Sequence, residues 1–173
     1  NGEMSHPDSI KLADSLKFET KLTKRAVYGG GGIMPDVFVP IDTLEITDVY
    51  RDAASSGGFN TFALTYVEDN RDELNKKYEN LDQFIAGFKT DKALMDKFFA
   101  HVKKEDPEFK FNEEQYAISK DIMTLRLKAN IAQDLFGSEA FYEIYNVKNE
   151  ILQEAISLIQ NNKYDSMNLA KTN

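Results

Sequence analysis

The chain has 173 residues and a formal net charge of −8, from 21 Lys and Arg against 29 Asp and Glu. That length is about one domain and enough to bury a real core, and 42% apolar with 29% charged residues excludes wholesale disorder. Absence of cysteine excludes disulfides and thiolate chemistry, no apolar run is long enough to span a membrane as a helix, and an acidic chain whose longest basic clusters are the pairs Lys24-Arg25, Lys76-Lys77 and Lys103-Lys104 is not expected to bind nucleic acid or anionic membranes.

The chain opens Asn1-Gly2-Glu3-Met4, without an initiator Met or a basic, apolar leader, and reads as a piece of a longer protein. Ser5-His6-Pro7-Asp8 has the Ser-x-x-Asp form of a helix start with proline in the first turn. Ile10, Ala13 and Leu16 follow at helical spacing. Phe18 to Leu22 then alternates like a strand, and Arg25 to Tyr28 is a second short extended run. After Gly29 to Gly32, the triplet Val37-Phe38-Val39 closed by Pro40 is a third.

From about Asp42 the signals are helical. Ile46 to Ala54 predicts a short helix ended by Gly57-Gly58. Phe59, Phe62, Ala63, Tyr66 and Val67 mark one face of a second helix running toward Tyr78. Asn80-Leu81-Asp82-Gln83 is a capping box that opens a short helix with Phe84, Ile85 and Phe88. Asp91 to Lys104 is the next, with Leu94, Met95, Phe98, Phe99 and Val102 apolar, and Pro107 breaks the pattern after it. Asn112-Glu113-Glu114-Gln115 is a second capping box, and its helix carries Ile118, Ile122, Leu125, Ala129, Ala132 and Phe136 in alternating steps of four and three. Gly137 stops that helix and Ser138 is placed to cap one last helix carrying Phe141, Ile144, Tyr145, Ile151, Leu152, Ala155, Ile156 and Ile159. So short a connection makes the two final helices an antiparallel αα-hairpin. The polar tail from Asn161 should fray. No internal repeat is present.

Chemistry has little to work with. Gly29 to Gly32 lacks the following Gly-Lys-Ser of a phosphate loop, and Pro35 removes a donor where the loop would need one. The glycines read instead as backbone that passes close to another strand or adopts positive φ. Ser15, Ser55, Ser56 and Ser138 fall at helix ends or turns, where capping explains them. The run Glu68, Asp69, Asp72 and Glu73 has i,i+4 carboxylate pairs suited to a divalent cation, but with Arg71, Lys76 and Lys77 nearby it reads as a solvated face. Two histidines, His6 and His101, are too few for a metal site or triad. His101 reads as a packing residue, with Glu105 as a helix-surface partner. The 12 Phe and 8 Tyr are the strongest compositional feature. Such stripes are usually core, and any excess over residues 59–104 would form an exposed patch. No catalytic, cofactor or metal residue is assigned.

The stretch Lys24 to Pro40, with Gly32-Ile33-Met34-Pro35-Asp36 followed by Val37-Phe38-Val39, resembles the end of the protease core in carboxyl-terminal processing peptidases, also called tail-specific proteases. Asp8 to Lys17 resembles an insertion in a bacterial branch of that family with long helical C-terminal extensions. Phe62 to Arg71 and Leu125 to Ala132 resemble that extension. The resemblance implies a serine endopeptidase with a Ser–Lys dyad, preceded by a peptide-binding PDZ domain and exported to the cell envelope. The family's dyad lies before the matched segment, so no residue of this chain corresponds to it.

The expected fold is mainly α: an irregular helical bundle with a small N-terminal hairpin-like β element left over from a protease core sheet. Residues 1–43 would be the terminal segment of that core and 44–173 a helical C-terminal domain. A strand stub without its sheet must satisfy its backbone groups by pairing with itself, by pairing with a second copy or by disorder, and a hairpin of 18–28 with 33–39 is the first expectation. The expected function is the non-catalytic C-terminal portion of an exported, periplasmic processing peptidase. It would need no cofactor. Its partners would be the upstream protease and PDZ parts of its own polypeptide, a protein or peptide substrate through them, and a second copy if the chain dimerises. The rivals are a free-standing helical peptide-binding module and an enzyme built on the acidic run.

Overall fold

Short polar side chains start most of the helices. The structure, a computed structural model, describes residues 14–21, 24, 26–29 and 35–167. Thr47 turns its side-chain oxygen onto the N–H of Tyr50 and opens α1 (Asp48–Ser55). Gly57, at φ 72°, turns the chain into α2 (Gly58–Lys77). Asn80 caps α3 (Leu81–Gly87) through Gln83 N, Asp91 caps α4 (Lys92–Glu105) through Leu94 N, and Asn112 caps α5 (Glu113–Phe136) through Gln115 N. Each of these oxygens satisfies an N–H that the helix itself leaves free. Gly137, at φ 96°, leads into α6 (Ser138–Tyr145). Asn149 caps α7 (Glu150–Gln160), and the single turn α8 (Lys163–Ser166) follows. The architecture is mainly helical with a small N-terminal hairpin. No helix among the described residues is long and apolar enough to cross a membrane.

The chain divides into two compact units. Residues 43–148 form one, and the other draws on residues 1–42 and 149–173. In the second unit, β1 (Lys17–Glu19) pairs antiparallel with β2 (Ala26–Tyr28), Phe18 standing opposite Val27. The hairpin therefore joins 17–19 to 26–28, whereas the sequence suggested 18–28 with 33–39; of the latter stretch the described residues 35–39 carry no strand. Its register is held at Gly29, whose N–H donates to Leu16 O at 2.8 Å. A Cβ at Gly29 would come within 2.7 Å of the Phe18 ring, so only glycine lets the ring lie over the backbone there. Residues 35–40 carry no regular structure. The helix start at 5–13 and the remaining glycines, 30–32, lie outside the described residues.

In the unit 43–148, α5 is the element on which α1, α2, α3 and α6 all pack, while α4 packs on α2. The core between them is largely aromatic. The Phe98 ring lies 4.7 Å from Phe59 and meets Phe62 edge-on at 5.7 Å. Phe84 stacks on Phe88 at 4.5 Å, with Tyr78 against its edge. The aromatic residues of 59–104 are therefore absorbed, and Leu64 is the one large apolar side chain of that stretch left exposed.

Three details depart from the sequence reading. First, the deepest line on α5 is Ser119, Met123, Leu127 and Ile131, whereas Ile118, placed in the apolar stripe, is 55% exposed. A helix enclosed on several sides buries more than one stripe, and the line facing the other helices outranks the most regular one. Second, the final helix is two. α6 stops at Tyr145, one 3-10 turn spans Asn146–Lys148, and Asn149 then accepts from Leu152 N at 3.1 Å. Asparagine competes for backbone N–H groups in this way and favours a new start over continuation. Third, Ser138 is the first residue of α6, not its cap; Gly137 takes that place with no side-chain bond.

The capping box at Asn112 is also only half used locally. Gln115 does not reach back to its own cap. Its Oε1 accepts from Val49 N at 3.1 Å and ties the start of α1 to α5. Ser119 adds to the same seam, donating to Glu45 O at 2.5 Å and bonding Thr47 Oγ1 at 2.7 Å.

Two substitutions test this packing. A Cβ on Gly58 would meet Val102 Cγ2 at 2.7 Å and Ala53 O at 3.0 Å. Gly58→Ala is expected to destabilise the protein by about 1–3 kcal/mol in denaturant unfolding, and the double variant with Val102→Ala to lose less than the sum of the singles. Ser119→Ala leaves Thr47 N–H and Glu45 O short of a buried partner and is expected to cost about 1–3 kcal/mol in the same assay.

Candidate functional site

A charge inside the apolar stripe of a central helix needs a physical account. Arg126 lies between Leu125 and Leu127 on α5 and is half-buried. Its guanidinium carbon is 4.6 Å from the centre of the Phe59 ring and 5.5 Å from that of Tyr50. Its Nη1 donates to the Tyr50 hydroxyl at 2.7 Å. The negative ring faces replace part of the water the cation has lost. Among the described residues the ion pairs are Arg51–Asp48, Lys92–Asp96, Lys148–Glu45 and Lys148–Asp121, so no carboxylate answers Arg126.

Two further groups complete the cluster. Tyr145, the last residue of α6, lies beside Tyr50. Burial pushes its hydroxyl up to about 12, the neighbouring Tyr50 adds to the rise, and Arg126 opposes it. One turn along α5 from Arg126, Asn130 is 6% exposed and donates through Nδ2 to Oδ1 of Asn60 on α2. The Oδ1 of Asn130 is itself buried without a partner. Four helices of the unit 43–148 thus converge here: α1 with Tyr50, α2 with Phe59 and Asn60, α5 with Arg126 and Asn130, and α6 with Tyr145.

The chemistry of this set is that of binding. Arginine is charged at every accessible pH and offers five N–H donors. The hydroxyl of Tyr145 stays protonated far above neutral, and asparagine does not titrate. Nothing among these residues is a nucleophile or a general base matched to neutral pH. Lys128, one turn from Thr124 on the same helix, has a different task. Burial lowers its pKa, and Nζ donates to Ile85 O at 2.7 Å, closing the last turn of α3.

The residues singled out from the sequence are not brought together. Glu68, Asp69, Asp72 and Glu73 are all exposed on α2, and among the described residues no group of three or more His, Asp or Glu side chains could hold a metal. His101 pairs through Nε2 with Thr61 Oγ1 at 2.9 Å and packs edge-on against Phe62, in place of the expected contact with Glu105. Ser55 and Ser56 donate to carbonyls three residues back. Arg126, Asn130 and their partners were not singled out, although one signal was visible: an arginine and an asparagine four apart among Leu125, Leu127 and Ile131.

The comparisons meet the geometry here. Residues 49–137, just over half of the chain, match the model of a family of unknown function, DUF8443. The chain belongs to the DUF8443 family. The DUF8443 match runs from the second residue of α1 to the glycine after α5. It contains Tyr50, Phe59, Asn60, Arg126 and Asn130, while Tyr145 lies beyond it. No curated protein and no solved structure matches the chain.

The position of Tyr145 has a measurable consequence. A phenol whose folded pKa lies above its unfolded value of about 10 stabilises the fold below that value, and the contribution is lost as pH rises toward the folded pKa. With Tyr145 pushed up to about 12, stability should fall between those limits. Tyr145→Phe is expected to remove the latest-titrating component of the phenolate absorbance and to flatten the alkaline loss of stability, both read by ultraviolet pH titration and thermal melts.

Proposed function

We propose that this chain is the non-catalytic C-terminal portion of an exported, periplasmic carboxyl-terminal processing serine peptidase, and that its helical unit packs on or regulates the protease core. The observation that carries the reading is the hairpin. β1 and β2 have three residues each and form a two-stranded sheet. An isolated pair of such length is marginal in water and leaves its outer backbone groups unpaired. Phe18 is 57% exposed on it, so among the described residues this small sheet element presents apolar surface and two outer edges. That is the form a sheet remnant takes at the border of a larger protease core. The helical unit supports the same reading from the other side, since its polar side chains serve caps and ties between helices and its one donor-rich cluster is equipped to bind. The partners in this reading are the upstream protease and PDZ parts of the same polypeptide and, through them, a protein or peptide substrate.

The test is peptidase activity on an unfolded protein, with the parent gene product and this chain compared. The parent is expected to cleave and this chain to be inert. Deleting residues 44–173 from the parent should change its rate or its assembly. Cleavage by this chain alone, or a parent without peptidase activity, would overturn the proposal.

A further inference from the structure

We propose that the cluster around Arg126 is a binding site for a small monoanionic carboxylate, held by the free donors of the guanidinium and flanked by the side chains of Asn60 and Asn130. The proposal is independent of the peptidase reading and rests on the geometry of four helices.

The first argument is charge. A half-buried guanidinium has lost part of its hydration, and such a group ordinarily meets a carboxylate. This chain has 29 acidic residues to draw on, yet Arg126 faces the ring of Phe59 and the ring and hydroxyl of Tyr50. The rings and that hydroxyl offset part of the desolvation without neutralising the charge. The position is therefore cationic in a protein whose net charge is −8.

The second argument is the count of donors. One of the five guanidinium N–H groups goes to Tyr50 within the protein. The rest form the fork that matches the two oxygens of a carboxylate. Arg126 and Tyr145 are half-buried and Asn60 is exposed, so the cluster opens to solvent. The Tyr145 hydroxyl keeps its proton at neutral pH, which leaves no phenolate to compete for the cation.

The third argument is the orphaned amide. Asn130 lies one turn from Arg126, is 6% exposed and has a buried oxygen without a partner. A buried polar atom in that state destabilises the fold. Such a cost is retained where the amide is kept for a task beyond packing, and rotation of the Asn60 and Asn130 amides exchanges which of their atoms donates. A single cation among neutral donors suits a single negative charge. A phosphate dianion would call for a second cation, and none is present in the cluster.

The experiment uses the whole chain and three sodium salts at matched ionic strength: acetate, inorganic phosphate and chloride. The readouts are the Arg126 Nε–H and the Asn60 and Asn130 side-chain amide resonances, together with the melting temperature. Acetate is expected to shift these resonances saturably in the millimolar range and to raise the melting temperature with concentration as ligand linkage requires. Phosphate should act more weakly, and chloride should not saturate. Arg126→Lys, which keeps the charge and loses the fork, should weaken acetate binding by about tenfold or more. Asn60→Ala, read beside a melting temperature that registers the lost bond to Asn130, should weaken it as well. No saturable shift with either oxyanion up to tens of millimolar would overturn the proposal and leave Arg126 as a packing residue. Tighter binding of phosphate than acetate would overturn the assignment of a monoanion, and full acetate binding by Arg126→Lys would overturn the role of the fork.

Discussion

The bundle depends on α5 being enclosed on most of its sides. A helix in that position cannot leave its polar groups to water, so each one on its buried surface has to find a particular neighbour. Ser119 and Gln115 take the start of α1, Arg126 takes Tyr50 and Phe59, Lys128 takes the end of α3, and Asn130 takes Asn60. Apolar contact alone would hold these helices together in several rotations about α5. Polar ties of fixed length select one of them, because a rotated neighbour would strand its partner. The rings around Phe98 supply the adhesion, and the side chains of α5 supply the register.

The same division explains what the sequence disclosed. Asn80, Asp91 and Asn112 act within one turn of themselves, so their meaning is local, and the helices they open begin where the sequence places them. Gly57 and Gly137 punctuate for an equally local reason, a backbone angle that other residues avoid. The gross architecture of helices plus a small hairpin follows from such signals. What escaped was non-local. The hairpin register depends on a ring lying over Gly29, which no periodicity reports. The stripe through Ile118 is regular in sequence, yet the line through Met123 and Leu127 is the one that meets other helices.

The candidate site escaped for a related reason. Its six residues come from four helices, and nothing in one dimension brings Tyr50 to Tyr145. The features that drew attention along the chain, the acidic run on α2 and the four glycines, were conspicuous because like residues stood side by side. Proximity in sequence proved a poor guide: the acidic side chains point to water, while a lone arginine among leucines turned out to be surrounded by rings and amides. A charge that breaks an apolar pattern deserved more weight than a charge that extends a polar one.

Lys148 closes the helical unit, and its ammonium lies 3.7 Å from Glu45 at the unit's opening and the same distance from Asp121. The polypeptide therefore enters and leaves this body of helices at one doorway. A host protein that accepts such a body in a surface turn loses little more chain entropy than a short loop would cost, because the closure term grows only with the logarithm of loop length. Geometry of this kind keeps the two ends of the helical unit beside each other, the arrangement under which insertion of one domain into another is best tolerated.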